Sequence, residues 1–157
     1  MLTLKEVTEN EKNILWNINQ KYLYEMTQYY PDDMDENGNY QYGYFDRYFT
    51  EPERKAYFIF NDTILVGFAM LNPYSYIEHH PDFVIAEFCI FPSYRRKHIA
   101  SQAAQMILDL HPGNWEIKFN EKNTGAKKLW EKITDRYIPD VYHINDEETV
   151  LEFSNRD

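Results

Sequence analysis

Ile85-Ala86-Glu87-Phe88-Cys89-Ile90-Phe91-Pro92-Ser93-Tyr94-Arg95-Arg96-Lys97-His98-Ile99-Ala100 runs from an apolar, β-branched segment through Pro92 into three consecutive cations. It then enters a segment of helical periodicity. Ile99, Ala103, Met106, Ile107 and Leu110 recur at helix spacing, which predicts a helix over 96–110 with one apolar face. A strand that feeds a helix through a short cationic turn aims unpaired backbone N–H groups, and the positive end of the helix dipole, at one point. Such a point suits a phosphate or pyrophosphate.

On the N-terminal side, Leu2 to Val7 alternates like a half-buried strand, and Thr8-Glu9-Asn10-Glu11 fits a capping box. Ile14, Leu15, Ile18, Tyr22 and Met26 form a stripe that predicts a helix over 9–28. Residues 31–39 read as an acidic loop, and 40–49 as a second short helix ending near Pro52. Strands are expected at 55–60 and 64–72, joined at Asn61-Asp62, and at 83–91. Beyond the helix, His111-Pro112-Gly113-Asn114 is a stop signal. A strand at 115–119, a helix at 123–133 and strands at 137–143 and 149–153 complete the chain. The order β-α-α-β-β-β-α-β-α-β-β describes one α/β domain over 1–157, with a mixed sheet.

Composition narrows the partners. The chain has 157 residues, 43% of them hydrophobic and 17% aromatic, enough for one well-buried core. A formal charge of -10 argues against nucleic acid, which needs a basic face. Arg95, Arg96 and Lys97 are a local exception, suited to a small anionic ligand. One cysteine, Cys89, rules out an internal disulfide framework and fits a reducing compartment. No signal pattern opens the chain and no apolar run approaches membrane-spanning length, so the expectation is a cytoplasmic protein with no membrane partner. His79-His80 beside Pro81 has no further ligand at useful spacing, and no metal is expected.

Two motifs carry a family resemblance. The pattern Arg/Gln-x-x-Gly-x-Gly/Ala after the fourth strand is matched by Arg95, His98 and Ala100, and Asn-x-x-Ala-x-x-x-Tyr by Asn123, Ala126 and Trp130. With the element order, they resemble the GNAT superfamily of N-acetyltransferases, over nearly the whole chain. The aromatic first half, followed by Ala86-Glu87-Phe88, is also similar to a small branch labelled only as predicted acetyltransferases. The resemblance implies a mostly antiparallel central sheet flanked by helices, and acetyl-CoA as acyl donor. It implies that Arg95, Arg96, Lys97, His98, Ile99, Ala100 and Ser101 surround the pyrophosphate, with a charge-assisted contact from Arg95, Arg96 or Lys97. Phe88, Cys89 and Ile90 map onto the strand that splays away to take the pantetheine arm. Asn123 and Trp130 map near the thiol end.

Two departures matter. His98 replaces a glycine that lets backbone approach phosphate closely. With ordinary helical dihedrals its amide would still donate, and binding would survive through a different local contact. Trp130 replaces the tyrosine that protonates the departing thiolate, and indole is no acid at neutral pH. Another tyrosine or a water would have to serve.

Glu87, in an apolar strand next to the implied thioester site, is a candidate base whose pKa burial would raise. A buried pair that orders the sheet explains it equally well. Glu116 and Glu121 are expected to face solvent, and Cys89 to be an inert buried thiol. Tyr22, Tyr29, Tyr30 and Asp32, within a tyrosine- and acid-rich first third, are candidates for the acceptor side. Aromatic faces and carboxylates suit a cationic amine; packing and a solvated loop explain most of these residues individually. The expected activity is acetyl transfer to a small primary amine, by direct attack in a ternary complex. The competing reading is a non-catalytic acyl-CoA-binding sensor or partner subunit. A homodimer is compatible with the aromatic surplus.

Overall fold

The computed structural model describes residues 1–156. The strands are β1 (Leu2–Glu6), β2 (Lys55–Asn61), β3 (Ile64–Asn72), β4 (Phe83–Ile90), β5 (Asn114–Asn120), β6 (Asp140–His143) and β7 (Glu148–Ser154). They form one seven-stranded sheet in the order β1-β2-β3-β4-β5-β7-β6. Every pairing is antiparallel except β4 with β5. The helix α2 (Ile99–Leu110) makes the crossover that a parallel pair requires. Helices α1 (Lys12–Met26) and α3 (Thr124–Thr134) complete the set. The expected fold class, a mixed and mostly antiparallel sheet flanked by helices, is the one observed.

The two sheet faces have separate cores. On one, Ile107 and Leu108 of α2 and Trp130 and Ile133 of α3 pack on Ile85, Trp115, Ile117 and Leu151. On the other, Leu15 of α1 and Phe45 and Tyr48 of a short 3-10 helix pack on Phe58, Phe68, Met70 and Cys89. Because both faces are covered, β3 is buried continuously from Val66 to Leu71 and does not alternate. No helix is long and apolar enough to cross a membrane among the described residues.

Boundaries shift for local reasons. The capping box forms, with the Glu11 carboxylate accepting from the Thr8 N–H at 3.1 Å, but the first turn, Glu9–Glu11, is 3-10 and α1 begins at Lys12. The expected helix at 40–49 shrinks to the 3-10 turn Phe45–Phe49, whose aromatic side chains are held by packing. α2 starts at Ile99 instead of 96, because Arg96 and His98 both take left-handed backbone (φ 64° and 62°). Asp135–Tyr137 forms a further 3-10 turn, so β6 begins three residues later than expected, at Asp140.

Candidate active site

β4 and β5 pair only through Phe83–Trp115, Val84–Glu116 and Ile85–Ile117, and then separate. The departure coincides with a bulge. Met70 pairs with Glu87 and Leu71 with Ile85, so Ala86 is an extra residue on β4. A bulge bends its strand and increases the local twist. From Glu87 onward, β4 keeps β3 on one edge and has no strand on the other, which leaves backbone polar groups facing the gap. A cavity of about 430 Å³ opens there. Glu87, Phe88, Asn123 and Trp130 line one part of it, and Tyr22, Tyr30, Asp32, Tyr76 and Lys118 its other walls.

Glu87 is one of the residues that line the cavity. Its Oε2 is buried and has no hydrogen-bond partner. Burial pushes its pKa up to about 8, against the opposing charge of Lys118. The residue as a whole is half-buried, and its carboxyl forms no ion pair or hydrogen bond among the described residues. Tyr22, Tyr42 and Tyr76 pack near enough to feel its charge; burial first, and then Glu87, hold all three phenols above their ordinary value. They are neutral hydrogen-bonding faces, not acids.

The cationic turn has a division of labour. A 3-10 turn, Pro92–Tyr94, leads into Arg95, which commits its guanidinium to Glu25 of α1 and the Ile90 carbonyl. Arg96 and Lys97 are exposed and make no ion pair among the described residues. The Gln102 N–H returns to the His98 carbonyl at 3.2 Å, so Ile99, Ala100 and Ser101 form the first turn of α2, whose N–H groups have no intrahelical acceptor. His98 does not have helical dihedrals. It occupies the left-handed conformation that glycine adopts without strain, at a cost of about 1–2 kcal/mol. His98→Gly should therefore raise stability by about 1 kcal/mol in a denaturant titration; an unchanged or lower midpoint would contradict this backbone geometry.

Other candidates scatter. Cys89 and Ile90 are buried in the cores on opposite faces of the sheet, and burial pushes the Cys89 thiol up to about 11, which makes it inert. Asn123 caps α3, its Oδ1 accepting from the Ala126 N–H at 3.2 Å. The Trp130 ring stands edge-on to Phe88, centroids 5.1 Å apart, as a wall. Tyr29 does not line the cavity, whereas Tyr22, Tyr30 and Asp32 do.

Three residues escaped sequence reasoning. Lys118 points into the cavity from β5, with its Nζ 2.7 Å from Glu148 and 4.6 Å from the centre of the Tyr76 ring. Tyr76 arrives on the β3–β4 loop. Glu116, expected at solvent, is fully buried and holds that loop: its carboxylate accepts from the Ser75 hydroxyl at 2.5 Å and the Tyr76 N–H at 2.8 Å. The strand alternation of Glu116, Lys118 and Asn120 signalled a shared face, but not what covers it. Glu121 is half-buried and bonded to Lys127 and Thr149.

Comparison with known proteins agrees with this geometry. The family model described as acetyltransferase (GNAT) family matches residues 15–134. The fold resembles the spermidine N-acetyltransferase from Vibrio cholerae, solved in complex with CoA and spermine: TM-score 0.66, 14% identity, 98% of this chain and 95% of that one. It also resembles the GNAT domain of S. lividans PAT, at TM-score 0.70 and 10% identity over 96% and 89% of the two chains. Arabidopsis thaliana NAA60 in complex with acetyl-CoA gives 0.64 and 10%, over 99% of each. At these identities the likeness is one of fold. No curated protein sequence matches the chain.

Proposed function

Because the chain belongs to the acetyltransferase (GNAT) family, we propose that it transfers the acetyl group of acetyl-CoA to the primary amine of a small cationic molecule, within a ternary complex. The observation that carries this reading is the buried, unpartnered Glu87 Oε2 at the cavity where β4 leaves β5. The residues present fit the donor. The open edge of β4 offers hydrogen bonds to the amides of a pantetheine arm. The first turn of α2, with Arg96 and Lys97, offers N–H groups and positive charge to a pyrophosphate.

Acetyl-CoA supplies the activated acyl carbon; the chain's own residues handle position and protons. An amine enters as its ammonium, drawn by the Asp32 carboxylate and the faces of Tyr22 and Tyr30. Glu87 accepts a proton at its free Oε2, exposing the nitrogen lone pair for attack on the thioester carbon. The new C–N bond forms as the C–S bond breaks. Two protons leave the nitrogen overall, one ending on the thiol sulfur and the other in water. Glu87 can return its proton to sulfur, because a pKa of about 8 lies close to the ordinary thiol value of about 8.5. That removes the need for a tyrosine at position 130. Backbone N–H groups on the open edge of β4 are placed to steady the carbonyl oxygen.

Calorimetry with acetyl-CoA, followed by free-thiol release against an amine panel, tests the proposal. Micromolar binding is expected, weakened roughly tenfold with a shallower salt dependence in Arg96→Ala/Lys97→Ala. Thiol release should follow with diamines or amino alcohols. The replacement at Trp130 favours one alternative, a protein that holds acyl-CoA without turnover; tight binding with no thiol released by any amine would select it. No binding to the folded chain would overturn both.

A further inference from the structure

Arg95 and Arg96 are neighbours in sequence with opposite environments. The Arg95 Nη1 and Nη2 donate to the two carboxylate oxygens of Glu25, each at 2.7 Å. Its Nε donates to the Ile90 carbonyl, also at 2.7 Å. This is the two-pronged pairing that makes arginine–carboxylate contacts strong and directional. Glu25 lies in the last turn of α1, and Ile90 is the last residue of β4. The guanidinium therefore joins the end of the helix to the end of the strand that opens the cavity. Tyr22, Leu23 and Met26, on the same turns of α1 as Glu25, form one cavity wall, and Tyr30 and Asp32 follow directly after them. For Arg95 to grip a phosphate it would have to surrender Glu25 and release that wall. Arg96 has no such commitment among the described residues.

We infer that Arg95 and Glu25 form a strut that positions the α1 wall of the acceptor pocket on the phosphate turn, and that Arg95 is a positioning residue and not a phosphate ligand. The terms acceptor and phosphate rest on the acetyl-transfer reading; the strut itself does not. It makes the wall contacted by the amine depend on the loop contacted by the cofactor. Glu25 is held below its ordinary pKa by the Arg95 hydrogen bonds, in keeping with a persistent pair.

The full chain without ligand is examined first, by amide hydrogen exchange. Arg95→Ala and Glu25→Ala should each speed exchange over residues 22–30 by roughly tenfold, and Arg96→Ala should leave it unchanged. In turnover, each strut variant should raise the amine KM roughly five- to tenfold, with the double variant no worse than either single one. The acetyl-CoA Kd should stay within about twofold of wild type, and Arg95→Lys, which keeps the charge and loses the fork, should fall between. Unchanged exchange in Arg95→Ala overturns the inference. So does a roughly tenfold loss of acetyl-CoA binding in Arg95→Ala that adds to the effect of Glu25→Ala. A wild type that acetylates no amine defeats the proposed function, and the exchange comparison still decides the strut.

Discussion

Glu87→Gln is expected to lower kcat roughly 10²- to 10⁴-fold while acetyl-CoA binding stays intact, because glutamine fills the same volume and accepts no proton. The pH profile gives the sharper signature. With a pKa of about 8, Glu87 is protonated through most of the neutral range, and the proposed role as base requires its ionised form. Wild-type kcat should rise with pH and level off above about 8, and the Gln variant should lose that limb. Lys118→Met removes the charge that opposes burial, so its limb should move to higher pH. A wild-type profile flat between pH 6 and about 9 would exclude Glu87 as the base.

The same shift has a stability consequence of opposite sense. The carboxyl titrates near 4.5 when unfolded and near 8 when folded. Between those values the unfolded chain has released a proton that the native state still holds, so native stability falls as pH rises through the window and is flat above it. Glu87→Gln abolishes this loss. Its melting temperature should exceed that of wild type increasingly from pH 5 to pH 8, gaining stability where it loses catalysis.

Gly67→Ala should be the most damaging single-methyl change in the sheet. Gly67 pairs with Ile59 on one side and Ile90 on the other. A Cβ there would lie 2.2 Å from the Cys89 carbonyl oxygen and 2.9 Å from the Ile90 Cδ1. Backbone cannot yield as a flexible side-chain tip does. The expected loss is about 3 kcal/mol or more in urea titration, roughly a 10 °C fall in melting temperature for a chain of this length. A loss below about 0.5 kcal/mol would contradict the close approach of β3 and β4. Because the strain falls where β4 enters the cationic turn, the proposed acetyl-CoA binding should weaken as well.

How much of this was legible in the chain depends on the range of the forces involved. The strand–turn–helix unit from Ile85 to Leu110 was readable because alternation, helical periodicity and a proline break are local properties of backbone and side-chain spacing. Glu87 could be singled out for a related reason: a carboxylate flanked by Ala86 and Phe88 in an apolar run has to be buried or bulged. The start of α2 was misplaced by three residues because sequence spacing carries no sign of φ, and Arg96 and His98 pass through the left-handed region before the helix can begin. The short helix expected at 40–49 reduced to a 3-10 turn, since its aromatics follow the packing around Phe45 more than any helical period.

Sequence alone thus determined the class of fold, the order of its elements, the cationic turn and the acid in the strand before it. Tertiary structure decided what each charge does. Nothing in Arg95-Arg96 distinguishes one arginine from the other until α1 brings Glu25 within 2.7 Å of the first. Nothing marks Glu116 as a buried anchor or Lys118 as a cavity cation until the β3–β4 loop closes over β5. Periodicity is set by neighbours along the chain, whereas the state of a charge is set by whichever distant group replaces its water.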